Sequence, residues 1–157
     1  GGHWEGDKAV PELPHSVYRI SPDGKLSLVT DKLAGPNGLA FSPDETRLYV
    51  TDTASALGDG DGHHIRVYDV DGARVVNGRM FAEVRPGVPD GIAVDVDGRV
   101  WSSSASGVQV FAPDGSRLGE IAVPETVGNL CFAEDGMLYI AASTSLYRIA
   151  TTTRGAS

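Results

Sequence analysis

From residue 17 to residue 150 the chain alternates short apolar runs with polar ones, and no window places apolar side chains at i, i+3, i+4 and i+7 between capping residues. This period predicts strands and excludes an appreciable helical content. The runs also repeat. Pro36-Asn37-Gly38-Leu39-Ala40-Phe41-Ser42-Pro43-Asp44 aligns with Pro89-Asp90-Gly91-Ile92-Ala93-Val94-Asp95-Val96-Asp97 and with Val127-Gly128-Asn129-Leu130-Cys131-Phe132-Ala133-Glu134-Asp135, each a short apolar strand that ends in an acidic turn. A second strand follows each: RLYVTDT at 47–53, RVWSSS at 99–104 and MLYIAAS at 137–143. A third carries a motif that occurs four times, as VYRISPDG at 17–24, VYDVDG at 67–72, VQVFAPDG at 108–115 and LYRIA at 146–150. Fourth strands follow at 25–30, 73–84 and 116–123.

Three of the third strands run into Asp-Gly, a favoured hairpin pair in which both residues tolerate positive φ. Units of four antiparallel strands, whose first strands are separated by 53 and 38 residues, are the signature of β-propeller blades. The expected organisation is all-β: one partial propeller domain over 1–157, with a blade fragment at 17–30, blades at about 37–84 and 90–123, and a partial last blade at 128–150. Propellers have at least four blades, so about three imply either a fragment or an assembly of two copies. Open blade edges present unpaired strands, which favour self-association.

Composition narrows the partners. With 21 acidic against 13 basic residues and a net charge of −8, the chain lacks the clustered cations that grip a phosphate backbone, so nucleic acid is not expected. No run approaches the length of a membrane span, and the segment GGHWEGDKAV has neither the basic start nor the apolar core of a secretion signal. The single cysteine, Cys131, lies in the apolar run NLCFA and is expected to pack as a small hydrophobe. Alone it forms no intrachain disulfide, and nothing in the cysteine usage indicates an oxidising compartment.

In a propeller the first strand of each blade lines the axis, so its entrance residues converge. The slot before the repeat's glycine holds Asn37 and Asp90 in two units and Gly128 in the third. An amide oxygen and a carboxylate are hard donors suited to Ca²⁺, Mg²⁺ or Mn²⁺. Pro-Asn-Gly and Pro-Asp-Gly are equally plain turn sequences, and on spacing alone the turn reading carries more weight. His63 and His64, in a loop rich in Gly and Asp, are candidates for contact with a polyhydroxy substrate or a transition metal, a solvated loop being the simpler account; His64 is the substrate-binding candidate. The GDGDG and DVDG stretches lack EF-hand spacing and read as turns. Asp52 at the end of a strand reads as a turn cap. Ser102, Ser103 and Ser104 lack the nucleophile elbow of a serine hydrolase. Glu5 and Asp7, in His3-Trp4-Glu5-Gly6-Asp7-Lys8, are candidates for facing a substrate, with a surface loop the default.

The strings PNGLAFSPDETRLYVTDT (36–53), PGVPDG (86–91), GVQVFAPDG (107–115) and ASTSLYRI (142–149) resemble, in order and over nearly the whole chain, the C-terminal half of the gluconolactonase and regucalcin (senescence marker protein) family. The resemblance implies a six-bladed propeller with one divalent cation on its axis, calcium first, with zinc, manganese and magnesium as alternatives. It also implies hydrolysis of sugar lactones. Asn37 then matches one cation ligand and Asp90 another; a Glu and an Asn from earlier blades have no counterpart here. The implied chemistry has the cation polarise the lactone carbonyl while Asp90 removes a proton from water, or orients water activated by the cation. A half-propeller that binds calcium or a protein without catalysis is the alternative of a different class.

Overall fold

The computed structural model describes residues 12–57 and 62–156, so Glu5 and Asp7 lie outside the described residues, as does most of the GDGDG loop. Among the described residues thirteen strands form four separate antiparallel sheets. Val17–Ile20 (β1) pairs with Leu26–Thr30 (β2). Pro36–Phe41 (β3), Arg47–Asp52 (β4), His64–Asp71 (β5) and Arg74–Glu83 (β6) form a four-stranded meander. Ile92–Val94 (β7), Val100–Ser103 (β8), Gly107–Phe111 (β9) and Arg117–Ala122 (β10) form a second. Val127–Phe132 (β11), Met137–Ala142 (β12) and Leu146–Ala150 (β13) form a three-stranded sheet. The only helix among the described residues is a 3₁₀ turn at Ala54–Leu57, too short and too polar in context to cross a membrane.

The first strand of the middle large sheet, β7, lies against the first strands of its two neighbours, β3 and β11. The sheets therefore radiate from a shared inner edge, as propeller blades do. Apolar side chains fill the gaps between blades. Tyr49, Ile65, Val67 and Val84 of one sheet meet Ile92, Val94, Val100 and Phe111 of the next. Trp101, Val108 and Val123 meet Val127, Leu130, Leu138 and Ile140, and Val17 and Leu33 meet Leu48, Val50 and Tyr68. Each full burial of such a side chain contributes about 1.5–3 kcal/mol. Strands with a blade on either side lose their alternation: β8 is buried at all four positions, because both faces pack. The outer face of the last sheet has no neighbour among the described residues and leaves Leu146 and Ile149 exposed.

Two local features depart from expectation. In the Asp-Gly turns positive φ falls on Gly24, Gly72 and Gly115 alone, and the preceding aspartates stay on the negative side. Where Pro precedes Asp it presets the first turn position, and the aspartate closes the turn with its side chain: Asp114 Oδ1 accepts from the N–H and Oγ of Ser116 at 2.9 and 2.6 Å. Cys131 is exposed rather than packed. Strand alternation turns Leu130 into the blade gap and so aims Cys131 at the axis, where it lines the channel beside Leu39, Phe41 and Ala93.

The two ends of that channel differ. At the lower end the chain after β13 folds back: Thr151 N–H donates to Gly136 O (3.0 Å), Val96 N–H to Arg154 O (3.0 Å) and Ala156 N–H to Val94 O (2.8 Å), with Gly155 bridged to Asp95. The upper end carries the loops that lead into β3, β7 and β11 and stays open.

Candidate functional site

Asn37, Asp90 and Gly128 all lie at the upper end, at the entry to the three axial strands. Adjacent blades bring the slots together through the backbone: Gly91 N–H donates to Gly128 O at 2.9 Å, and Gly38 packs against the carbonyl of Asp90. Asn37 is exposed and its amide makes no hydrogen bond among the described residues. Asp90 is half-buried, and its carboxylate accepts no hydrogen bond there either. Burial without a donor pushes the Asp90 carboxyl above its ordinary value of 3.8, because desolvation disfavours the charged form.

What fixes Asp90 is its backbone. Its N–H donates to Ser103 Oγ at 3.0 Å and its C=O accepts from Thr51 Oγ1 at 2.9 Å. Thr51 Oγ1 in turn accepts from Gly38 N–H at 2.7 Å. Thr51 and Ser103 are both completely buried. The Thr51 hydroxyl thus ties the residue after Asn37 to Asp90, which lies 39 residues beyond Thr51 along the chain, and holds two blades in register at the mouth. The sequence offers one signal for these two residues. Thr51 and Ser103 occupy the same position of successive second strands, and the third unit has Ala141 there, so the hydroxyl is present in the two units that carry Asn37 and Asp90 and absent in the unit that carries Gly128.

Asn129 is also part of the mouth. It lies one residue past the slot, against Gly91, with its Oδ1 accepting from Leu130 N–H at 2.8 Å. Below the mouth the wall becomes apolar, with Leu39, Phe41, Ala93 and Cys131.

The remaining candidates serve structure or lie away from the axis. Asp52 is buried and accepts N–H bonds from Ala34, Gly35 and Ala54 at 3.1, 3.0 and 3.0 Å, which makes it the clasp of two loops. Ser104 Oγ accepts from Gly107 N–H at 3.1 Å, and Ser102 Oγ donates to Ser103 O at 3.1 Å. His63 is buried with Nε2 against Arg85 Nη2. His64 opens β5, paired with Asp52 on one side and Glu83 on the other. That places it two strand spacings, about 10 Å, out from the axial strand β3.

Asn37 and Asp90 are the right donors for a hard divalent cation: neutral or anionic oxygens with no competing partner, at a mouth accessible to solvent. Two oxygen donors fall short of the six to eight that Ca²⁺ takes, and among the described residues no three His, Cys, Asp or Glu side chains cluster to complete a set.

Residues 1–144 match the model of the SMP-30/Gluconolactonase/LRE-like region. The chain belongs to this family. It is 38% identical over 153 residues to a gluconolactonase of Zymomonas mobilis, covering 90% of this chain and 42% of that protein. It is 32% identical to a pentonolactonase of Haloferax volcanii, covering 74% of this chain and 40% of that protein. The solved structure of a Xanthomonas campestris gluconolactonase superposes with a TM-score of 0.81 at 41% identity, over 94% of this chain and 47% of that one. The regucalcin of Agrobacterium tumefaciens, at 18% identity and a TM-score of 0.72, shares the fold. The chain spans a little under half the length of the relatives named gluconolactonase and pentonolactonase. Family members are named as lactonases, and sugar-lactone hydrolysis is the activity at the level of the family.

Proposed function

We propose that this chain carries part of the active site of a sugar-lactone hydrolase that uses a divalent cation, calcium first, with Asn37 and Asp90 as two of the ligands. The observation that carries the reading is the carboxylate of Asp90: half-buried, without a donor, and fixed at the axial mouth by the Thr51 and Ser103 hydroxyls on its own backbone. A bound cation would supply Lewis acidity toward the lactone carbonyl and charge balance for a desolvated carboxylate. Asn37 offers its amide oxygen on the neighbouring blade. Asp90 accepts the proton of the water that adds to the carbonyl carbon, or, held acidic by the cation it would ligate, orients that water instead. The ring C–O bond then breaks as the proton taken from water passes to the departing ring oxygen, and a hydroxy acid leaves. His64, the first residue of β5 and two strand spacings out from β3, is proposed only as an outer contact for a hydroxyl of the sugar.

The test is Asp90→Ala, assayed on D-glucono-1,5-lactone by pH-stat with calcium binding measured by calorimetry. Turnover should fall about 100- to 10,000-fold, the range for loss of a general base, and calcium binding should weaken while the melting temperature holds. Retained turnover with bound cation would sink the assignment.

A further inference from the structure

Three glycines meet at the axial mouth, and two are required by packing. A Cβ on Gly38 would stand 2.3 Å from the carbonyl oxygen of Asp90, and one on Gly91 would stand 2.4 Å from Asn129 Oδ1 and 2.6 Å from Asn129 Cα. Both distances are far inside contact with atoms that cannot give way. Gly128 differs. Its φ is outside the left-handed region, and a Cβ built on it meets only Ala141 O and Asp90 Oδ2, each at 3.9 Å. That is ordinary van der Waals separation.

Neither backbone nor packing therefore calls for glycine at 128, and glycine inside a strand is destabilising by about 0.5–1 kcal/mol relative to alanine. The equivalent slots in the two preceding blades bear Asn37 and Asp90. A side chain here would enter the space beside the Asp90 carboxylate. That space is a hollow lined by Asp90, Thr126, Asn129, Ala142 and Ser143. Asn129 Nδ2 makes no hydrogen bond among the described residues, and Ser143 Oγ makes only a long one, 3.3 Å, to Thr126 O. Both border an opening that the small residues Ala141 and Ala142 also line. Polar groups beside small apolar residues suit a polyhydroxylated ring, which presents hydroxyls at its rim and C–H groups on its face.

We propose that Gly128 determines specificity: its missing side chain keeps open a subsite beside Asp90 that receives the hydroxyl-bearing part of a sugar lactone, with Asn129 and Ser143 as its polar contacts. The inference rests on the lactonase reading. It adds which residue makes room for the ring and which groups recognise it.

The test compares the protein with Gly128→Ala and Gly128→Leu. Three quantities are read: calcium affinity by calorimetry, KM and kcat on D-glucono-1,5-lactone, and binding of the non-hydrolysable ring 1,5-anhydro-D-glucitol by saturation-transfer NMR. Gly128→Leu should raise KM by at least roughly ten-fold, the scale of methylene groups misplaced in a pocket, and abolish the NMR signal of the analogue. Calcium affinity and melting temperature should stay at the parent values, a pattern of lost ground-state binding. Gly128→Ala, whose methyl fits without a clash, should show the same change in smaller degree, and it decides the matter if the leucine variant does not fold. Parent-like KM and analogue binding in both variants overturn the subsite while leaving the lactonase reading intact. Joint loss of calcium, ligand and thermal stability in Gly128→Ala makes Gly128 a structural residue and overturns the subsite as well. A parent protein that neither binds calcium nor opens the lactone overturns the lactonase reading, and the subsite with it.

Discussion

Two aspartates bracket β7, and the fold treats them in opposite ways. Asp95, at the lower end, is completely buried, yet every lone pair has a donor: the N–H groups of Asp97 and Arg99 at 3.1 and 2.9 Å, Arg99 Nε at 2.7 Å and Trp101 Nε1 at 3.0 Å. The bridge to Gly155 then seals it under the returning tail. Asp90, five residues earlier, is half-buried and its carboxylate has no donor among the described residues. A buried charge is tolerated when donors offset its desolvation, so Asp95 fastens the lower end. A desolvated carboxylate without donors among the described residues serves no such purpose, and groups perturbed in this way gather where chemistry is done. The lower end of the propeller is built for stability and the upper end holds its polar groups in reserve.

Three measurements sharpen or break that contrast. The largest effect should come from Asp95→Ala, which takes the acceptor from Arg99 Nε, the buried indole N–H and two backbone donors while Arg99 Nη2 keeps Asp97; about 3–5 kcal/mol of stability should be lost, read as a drop in the urea midpoint. A cost well under 1 kcal/mol, on the scale of ordinary surface substitutions, would mean that the lower end is not held by this carboxylate. Next comes Thr51→Val, which keeps the shape but leaves Gly38 N–H without its acceptor. It should lose about 1–2 kcal/mol and weaken calcium binding, with Thr51→Ser restoring both. Weakened stability with unchanged calcium affinity would show that the hydroxyl ties the blades together without setting the position of Asp90. The smallest effect is linked to pH. Because burial raises the Asp90 carboxyl in the folded state, the folded protein binds that proton more tightly than the unfolded chain. Ionisation therefore costs stability above the folded pKa, and the cost disappears below the ordinary value of 3.8. Asp90→Asn should melt slightly higher than the parent at neutral pH without added cation, the gain fading on acidification. A lower melting point at neutral pH would mean that the ionised carboxylate has a stabilising partner.

Much of this molecule was legible before folding. The short apolar runs at 36–41, 47–53, 127–132 and 137–142, bounded by turn residues, mark strands by their length, and the repeat identifies Asn37, Asp90 and Gly128 as equivalent because each blade reuses one backbone. Burial of Cys131 was misjudged for the same local reason: an apolar run does not say which of its faces meets a neighbouring blade and which meets the axis. The pairing of Thr51 with Asp90 was invisible as well, since it joins residues 39 positions apart in different sheets.

The division follows from the range of the forces. Strand, turn and repeat are fixed by neighbours along the chain, and the sequence by itself determined them together with the blade architecture and the two oxygen donors at the axis. Whether a carboxylate acquires four donors, as Asp95 does, or none, as Asp90 does, depends on which groups other strands and the tail bring to it. Whether a glycine is forced by contact, as Gly38 and Gly91 are, or leaves an opening, as Gly128 does, depends on what stands across the gap between blades. Only the tertiary structure decides those, because desolvation and contact are properties of the space around a residue and not of its position in the chain.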